Sequence, residues 1–277
     1  MTYDVLGPGL LDYQPCRYGM SRLLFRGPKR NLTDPYIAFI GTNETYGKFV
    51  ERPFPALVEK SLGRTCANFG QLNAGVDAFS FDPFVLDAAS AADLSVIQVL
   101  GAQNMTNRFY SVHPRRNDRF LEAATLLKSI YRDVDFADFH FNKHMLGTLL
   151  DVSIERFQTV RQELQEAWVA RMRLMLKQIN SKTILLWIAG HSPDDIDPYD
   201  IDTLGSDPLF VTRDMINQVK PYATSVVEVV LSDKAQRAGT TGMIFGELDR
   251  AAAAEMMGPM AHEEAARAVT KEIRALL

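Results

Sequence analysis

The sequence lacks several features that define common classes of protein. Its 277 residues include two cysteines, Cys16 and Cys66, too few for a disulfide framework or a cysteine-built zinc cage. The longest apolar run, residues 183–189, is too short to cross a bilayer. A net charge of -4 gives no global basic field, which argues against nucleic-acid binding as the main activity. We therefore expect neither a membrane nor a nucleic acid as a partner.

The composition is otherwise that of a globular protein. Hydrophobic residues make up 47% and charged residues 23% of the chain, which excludes wholesale disorder. The first residues have neither the basic head nor the apolar core of a signal peptide, so we expect a cytoplasmic protein. No pattern in the sequence defines an oligomeric state.

Short apolar segments predict buried strands. Residues 36–40, 94–100, 183–189 and 225–231 are rich in Ile, Val and Leu with little alternation, and residues 65–69 are a weaker fifth segment. Helical patterns occur at residues 48–62, 117–131, 153–179, 212–219 and 261–276. Because strands and helices alternate, we expect a mostly parallel five-stranded sheet with helices on both faces.

We interpret residues 1–277 as a single α/β domain with two additions. Residues 1–34 are predicted to form an N-terminal strap, and residues 102–152 or thereabouts a helical insertion. The arginines of the strap stand among apolar residues, which predicts exposed charges; they are Arg17, Arg22, Arg26 and Arg30. Ligands of such sheets bind beyond the carboxyl ends of the strands, so the segments that follow the strands are the candidate site.

Four segments at predicted strand or helix ends carry the candidate residues. They are Gly41-Thr42-Asn43-Glu44-Thr45-Tyr46-Gly47, Asn68-Phe69-Gly70-Gln71-Leu72-Asn73-Ala74-Gly75, Gly101-Ala102-Gln103-Asn104 and Gly258-Pro259-Met260-Ala261-His262. Taken singly, each is typical of a turn or a helix cap. Their order along the chain carries more information than any one of them.

In this order the segments resemble the sequence blocks of SGNH, or GDSL-type, hydrolases. Gly41, Thr45 and Gly47 match the first block, and Gly75 or Gly70 matches the oxyanion-hole glycine of the second. Gly101 matches the third block, with Asn104 or Gln103 as its side-chain donor. His262 matches the histidine of the last block. The chain also resembles an uncharacterised bacterial domain family that has a Gly-x-x-Glu-Thr-Tyr-Gly turn. The SGNH resemblance implies a flavodoxin-like three-layer α/β/α sandwich and hydrolysis of an ester or acyl group with His262 as base.

The sequence departs from that family at the nucleophile. Asn43 stands where the family has its serine, and Thr42 where it has an aspartate. Pro259 stands at the aspartate that orients the histidine. A carboxamide is not a nucleophile that an imidazole can activate, so Thr42 and Thr45 are the remaining hydroxyls of the turn.

Two hypotheses follow. The chain is either a hydrolase or acyltransferase that acts on an ester or acyl group of a carbohydrate or small molecule through a rearranged site, or a catalytically degenerate protein that binds a small anionic or carbohydrate ligand. In both cases the predicted binding groups are Gly41, Gly75, Gly101, Gln103 and Asn104. Neither hypothesis calls for a cofactor.

Other polar clusters give weaker predictions. His113, Arg115 and Arg116 form either a solvated turn or an anion clamp, and His191 follows the strand predicted at residues 183–189. His140 and His144 have helical spacing but no third metal ligand, and the acidic residues 194–202 lack the glycine and glutamate of a calcium loop. We therefore predict no metal site.

Overall fold

A computed structural model describes residues 11–195 and 203–277 of the chain. The first ten residues of the predicted strap and most of the acidic segment at 194–202 lie outside these ranges. The strands are β1 (Tyr36–Ile40), β2 (Thr65–Asn68), β3 (Leu94–Gln98), β4 (Tyr110–His113), β5 (Arg116–Ala123), β6 (Lys182–Ala189) and β7 (Ser225–Val230). The helices are α1 (Asn43–Tyr46), α2 (Phe54–Leu62), α3 (Val76–Ser80), α4 (Pro83–Ala91), α5 (Thr125–Ile130), α6 (Asn142–Val152), α7 (Ile154–Gln178), α8 (Arg213–Val219), α9 (Asp233–Ala238), α10 (Arg250–Ala254) and α11 (Pro259–Leu276). Short 3-10 turns occur at Phe136–Asp138, Lys220–Tyr222 and Glu247–Asp249.

Within the described residues, five strands form one sheet in the order β2-β1-β3-β6-β7. Each neighbouring pair of these strands is parallel. From β1 the chain adds β2 on one side, and then adds β3, β6 and β7 in succession on the other side. This is the strand order of flavodoxin-like folds. All five residues of β1 and all five of β3 are buried, which explains why their sequences show no alternation. The fold class predicted from the sequence is confirmed.

Helices cover the sheet on both faces. Along β1, Ala38 and Ile40 belong to one apolar cluster, while Ile37 and Phe39 belong to a second. Successive side chains of a strand point to opposite faces, so the two clusters are the two sides of the sheet. Buried residues of α3, α4, α7 and α8 belong to the first cluster, and those of α2 and α11 to the second. The molecule is therefore a three-layer α/β/α sandwich.

The long helix α7 agrees closely with the pattern predicted for residues 153–179. Ser153 is its N-cap, and the hydroxyl accepts a hydrogen bond from the Arg156 backbone N–H at 3.3 Å. Trp168 is fully buried, and its indole N–H donates to the Leu100 carbonyl at 2.7 Å. This bond ties α7 to the segment that follows β3. Among the described helices, none is both long and apolar enough to cross a membrane.

Two of the predicted helices differ from the structure. Residues 117–131 do not form one helix, because Arg116–Ala123 is a strand that pairs antiparallel with β4, and only Thr125–Ile130 is helical. The insertion around residues 102–152 thus contains a β-hairpin as well as helices. The helix predicted from residue 48 begins at Phe54, because Pro53 and Pro55 are tolerated only at or before the first helical turn.

The described part of the strap packs into the core through Tyr18, Leu23 and Phe25. Arg26 does not have the exposed charge predicted for it, since the residue is 5% exposed. Its guanidinium donates to the backbone carbonyls of Tyr46, Gly47, Val50 and Glu51 at distances of 2.5 to 3.0 Å. Arg26 therefore fixes the chain that leaves α1, next to the carboxyl edge of the sheet.

Candidate functional site

A polar cavity of about 580 Å³ lies beyond the carboxyl ends of β1 and β3. The turn after β1 contributes Thr42, Asn43 and Glu44 to its wall. The polar residues from other segments are Asn73, Gln98, Gln103, Asn104, Asp118, Lys143, Ser206, Asp207 and Glu255. The position agrees with the rule that ligands of open parallel sheets bind at this edge.

Gln98, the last residue of β3, organises the turn after β1. Its side-chain Oε1 accepts from the Thr42 backbone N–H at 3.1 Å and from the Thr45 hydroxyl at 2.7 Å. Because the oxygen is held by two donors, Nε2 points to Glu44 and donates to its Oε2 at 2.6 Å. A side chain on Gly41 would collide with Thr45 and Gln98, so this close approach requires glycine.

The Glu44 carboxyl lies in the cavity wall, where its surroundings disfavour the charged form. Burial raises the pKa of Glu44, and the nearby carboxylate of Asp207 raises it further, while the hydrogen bond from Gln98 lowers it. A carboxyl group with a raised pKa is available for proton exchange nearer neutrality than an exposed one.

Asn43, which the sequence resemblance predicts to stand in place of a nucleophilic serine, is paired with Asn73. The Asn43 Nδ2 donates to Asn73 Oδ1 at 3.1 Å, and the Asn73 backbone N–H donates to Asn43 Oδ1 at 2.9 Å. Asn73 has a φ of +54°, a left-handed conformation that asparagine tolerates better than most residues. The pair joins the turn after β1 to the turn after β2.

Further asparagines extend this connection into the insertion. Asn104 Nδ2 lies 3.5 Å from the Asn73 carbonyl, and Asn104 Oδ1 accepts from Asn142 at 3.0 Å. Asn142 is fully buried and also donates to the Asn117 carbonyl. Asn73 Nδ2 lies 3.4 Å from an oxygen of Asp118. The insertion therefore forms one wall of the cavity and is bonded to the strand-end turns.

The glycines predicted as oxyanion donors already have hydrogen-bond partners. The Gly75 backbone N–H donates to Asn117 Oδ1 at 3.0 Å, and the Gly70 N–H donates to Asn68 Oδ1 at 2.8 Å. Asn117 also accepts from the Ala78 N–H at 3.0 Å and so satisfies the start of α3. Gly75 does not line the cavity, whereas Gly101 does.

His262 lies outside the cavity lining and is 1% exposed. Its Nδ1 accepts from the Phe54 backbone N–H at 3.1 Å, so the proton is on Nε2. Burial, and after it the Arg26 charge, lower the pKa of His262 to about 3 against the opposing effect of a hydrogen bond to the Met257 backbone. Both ring nitrogens are thus engaged, and the imidazole joins α11 to α2 behind the cavity wall.

The remaining predicted residues lie away from the cavity. His113 closes the β4–β5 turn, where Nδ1 accepts from the backbone N–H groups of Arg115 and Arg116, both at 3.2 Å. Both arginines are exposed and neither lines the cavity. The His191 ring stacks on Trp187, with centroids 5.5 Å apart. The structure therefore brings Thr42, Asn43, Gly101, Gln103 and Asn104 together, and leaves Gly41, Thr45, Gly75, His113, Arg115, Arg116, His191 and His262 outside the lining.

Sequence reasoning did not single out several residues of the cavity. Glu44 and Asn73 lie within the candidate segments that follow β1 and β2, so their position in the sequence could have predicted that they line the cavity. Asp118, Lys143 and Asp207 come from the insertion and from a loop before α8, and no local pattern connects them to the strand ends. Within residues 11–195 and 203–277, no group of three or more His, Cys, Asp or Glu side chains is placed to hold a metal ion.

Fold and site together define a flavodoxin-like α/β protein with a polar cavity at the carboxyl edge of its sheet. The chain belongs to the family described as "Domain of unknown function (DUF6473)", whose model matches residues 1–277. None of the curated proteins matches its sequence.

The solved structures similar to this chain include two that align over most of its length at low sequence identity. The lipase Lip_vut3 from a goat rumen metagenome is 13% identical, with a TM-score of 0.44, over 87% of this chain and 97% of the lipase. A second crystal structure is 16% identical, with a TM-score of 0.39, over 89% of this chain and 99% of the other. The fold assignment rests on the strand order and the layers described above.

Proposed function

We propose that the protein binds a small hydroxyl-rich ligand, a carbohydrate or polyol, in the cavity at the carboxyl edge and does not use an acyl-enzyme route. The observation that supports this most directly is the Asn43–Asn73 pair, two carboxamides bonded to each other in the turn where the sequence resemblance predicts a nucleophile. Carboxamides both donate and accept, as sugar hydroxyls do, so an amide-lined cavity suits a ligand with many hydroxyl groups.

The character of the lining favours a hydroxyl-rich ligand over an anion. The N–H groups of Gly70 and Gly75 are already bonded within the protein. Among the described residues that line the cavity, Lys143 is the one cation, whereas four side chains are carboxylic acids. An anion would be repelled by these carboxylates and would find few free donors.

The geometry gives the ester-hydrolase hypothesis less support. A serine-type mechanism needs a hydroxyl next to an imidazole that takes its proton. Here the candidate imidazole, His262, has both nitrogens bonded to the backbone and a pKa lowered to about 3 by burial. Thr45, the buried hydroxyl of the turn, donates to Gln98 at 2.7 Å.

Isothermal titration calorimetry with glucose, galactose, mannose, xylose, glycerol and inositol tests the proposal. We expect one-to-one binding of at least one of them by the wild-type protein. Asn73→Gly keeps the left-handed backbone but removes the carboxamide, and should weaken that binding about tenfold, the cost of one to two hydrogen bonds. Asn180→Gly, at an exposed position outside the cavity, is the matched control and should bind like the wild type.

Two results would contradict the proposal. Failure of every compound to bind would remove the proposed ligand class. Binding that Asn73→Gly leaves unchanged would locate the ligand elsewhere on the protein.

A further inference from the structure

The cavity has an excess of negative charge. Its ionisable lining residues among those described are Glu44, Asp118, Lys143, Asp207 and Glu255, which is four carboxylates against one ammonium group. A second cation stands nearby, because the Arg119 guanidinium lies 4.1 Å from the ring centroid of Phe141, which lines the cavity. A hydroxyl-rich ligand without charge would leave most of this negative charge uncompensated.

The four carboxylates have no cationic partner within the described chain. The salt bridges there join other residues, and none includes Glu44, Asp118, Asp207 or Glu255. Glu44 and Asp118 are partly buried, whereas Asp207 and Glu255 are exposed. A carboxylate that is partly removed from water without a cation is costly to keep ionised, and burial accordingly raises the pKa of Glu44. A positively charged ligand group would offset that cost and would bind more tightly for it.

The side chain of Gln103, in the cavity lining, has a carbonyl oxygen that accepts no hydrogen bond. It is 7% exposed, and its Nε2 donates to Asp207 Oδ1 at 3.1 Å. This bond fixes the carboxamide, because turning it over would place two acceptors against each other. Its Oε1 is then left buried without a hydrogen-bond partner. A ligand donor would satisfy an oxygen that the protein leaves unsatisfied.

Glu44 is held by Gln98, whose own oxygen accepts from Thr42 and Thr45. Glu44, Gln103 and Asp207 all line this cavity, and Gln103 is hydrogen-bonded to Asp207. The carboxyl groups of Glu44 and Asp207 and the unpartnered oxygen of Gln103 therefore form a group of hydrogen-bond acceptors. A protonated amino group has three N–H donors to offer these acceptors.

We propose that the hydroxyl-rich ligand of this cavity carries a protonated amino group, as amino sugars do, and that this group lies between Glu44 and Asp207 next to Gln103. The inference rests on the proposed function and narrows its ligand class. A charge-assisted hydrogen bond is about twice as strong as a neutral one, so the amino group should raise affinity about tenfold over a hydroxyl.

Matched pairs of sugars test the inference, by calorimetric titration at neutral pH of glucose with glucosamine, galactose with galactosamine and mannose with mannosamine. In at least one pair we expect the amino sugar to bind about tenfold more tightly than its neutral counterpart. Glu44→Gln and Asp207→Asn should each remove most of that ratio, because each weakens binding of the amino sugar more than binding of its neutral counterpart. Glu247→Gln, an exposed carboxylate outside the cavity, is the matched control and should keep the full ratio.

The outcomes separate the inference from the function on which it rests. Equal affinity within every pair, or a preference that survives both cavity variants, overturns the inference and leaves the proposed function in place. Absence of binding by all neutral and amino sugars overturns both. The wild-type comparison decides the matter even when a cavity variant does not fold.

Discussion

Acid should destabilise this protein through His262, because the imidazole is buried in its neutral form. In the unfolded chain a histidine gains a proton below its ordinary pKa of 6.5, whereas in the folded protein burial lowers the pKa of His262 to about 3. Protons are thus taken up preferentially by the unfolded state as the pH falls below 6.5. The stability that the neutral imidazole provides is complete above pH 6.5 and is lost as the pH falls towards 3. At pH 5 the loss amounts to about 2 kcal/mol, from 1.5 pH units at about 1.36 kcal/mol each.

His262→Asn isolates this effect from the titration of the carboxyl groups. Its carboxamide oxygen can accept from the Phe54 N–H but does not titrate. The variant should be less stable than the wild type at pH 7, because it loses packing and the bond to Met257. The difference in free energy of unfolding between the wild type and His262→Asn should shrink by about 2 kcal/mol as the pH falls from 7 to 5.

Equilibrium unfolding in urea at pH 5, 6 and 7 measures the gap directly. His144→Asn, at an exposed position on α6, is the matched control and should follow the wild-type curve. A gap between wild type and His262→Asn that stays constant over this range would refute the assignment of a buried neutral imidazole.

Three further predictions concern residues near the site and the core. Asn43→Ser should leave hydrolysis of p-nitrophenyl acetate at background, because both nitrogens of His262 are engaged; activity that disappears when His262 is also replaced would contradict this. Arg26→Met should lower the free energy of unfolding in urea by roughly 3–5 kcal/mol, since four backbone carbonyls lose their donor, and an unchanged value would refute the role of Arg26. Arg171→Met should cost about 3 kcal/mol at pH 7 by leaving Asp77 buried without its ion pair. That cost should be smaller at pH 4, where the pKa of Asp77, raised by burial, allows the carboxyl to be protonated, and equal losses at both pH values would argue against the pair.

The sheet could be predicted because the information for its strands is local. A strand covered on both faces needs a short run of Ile, Val and Leu, and Tyr36–Ile40 begins and ends at the predicted residues. The hairpin of the insertion was mistaken for a helix for the opposite reason. Arg116–Ala123 is a strand because it pairs with Tyr110–His113 and buries Asn117, Phe120 and Ala123. That pairing depends on a neighbouring strand and cannot be predicted from the local sequence alone.

The candidate site was predictable only in part, for a related physical reason. Asn43 and Asn104 follow strands, and parallel strands end at a common edge, so position alone brought them together. The hydrogen-bond partners come from distant parts of the chain, such as Asp118, which lies 45 positions after Asn73. The family resemblance predicted that His262 belongs to the site. In the structure its imidazole instead accepts a hydrogen bond from the backbone N–H of Phe54, 208 positions away, and lies outside the cavity lining.

The side-chain amides of the cavity offer the most direct test of its binding function. Two-dimensional ¹H–¹⁵N NMR resolves the NH₂ groups of asparagine and glutamine, and a titration with glucosamine and galactosamine would follow them individually. We expect saturable shifts at Asn43, Asn73, Gln103 and Asn104, with little change at the exposed Asn180. Saturable shifts confined to amides outside the cavity, or no shifts at any amide, would contradict it.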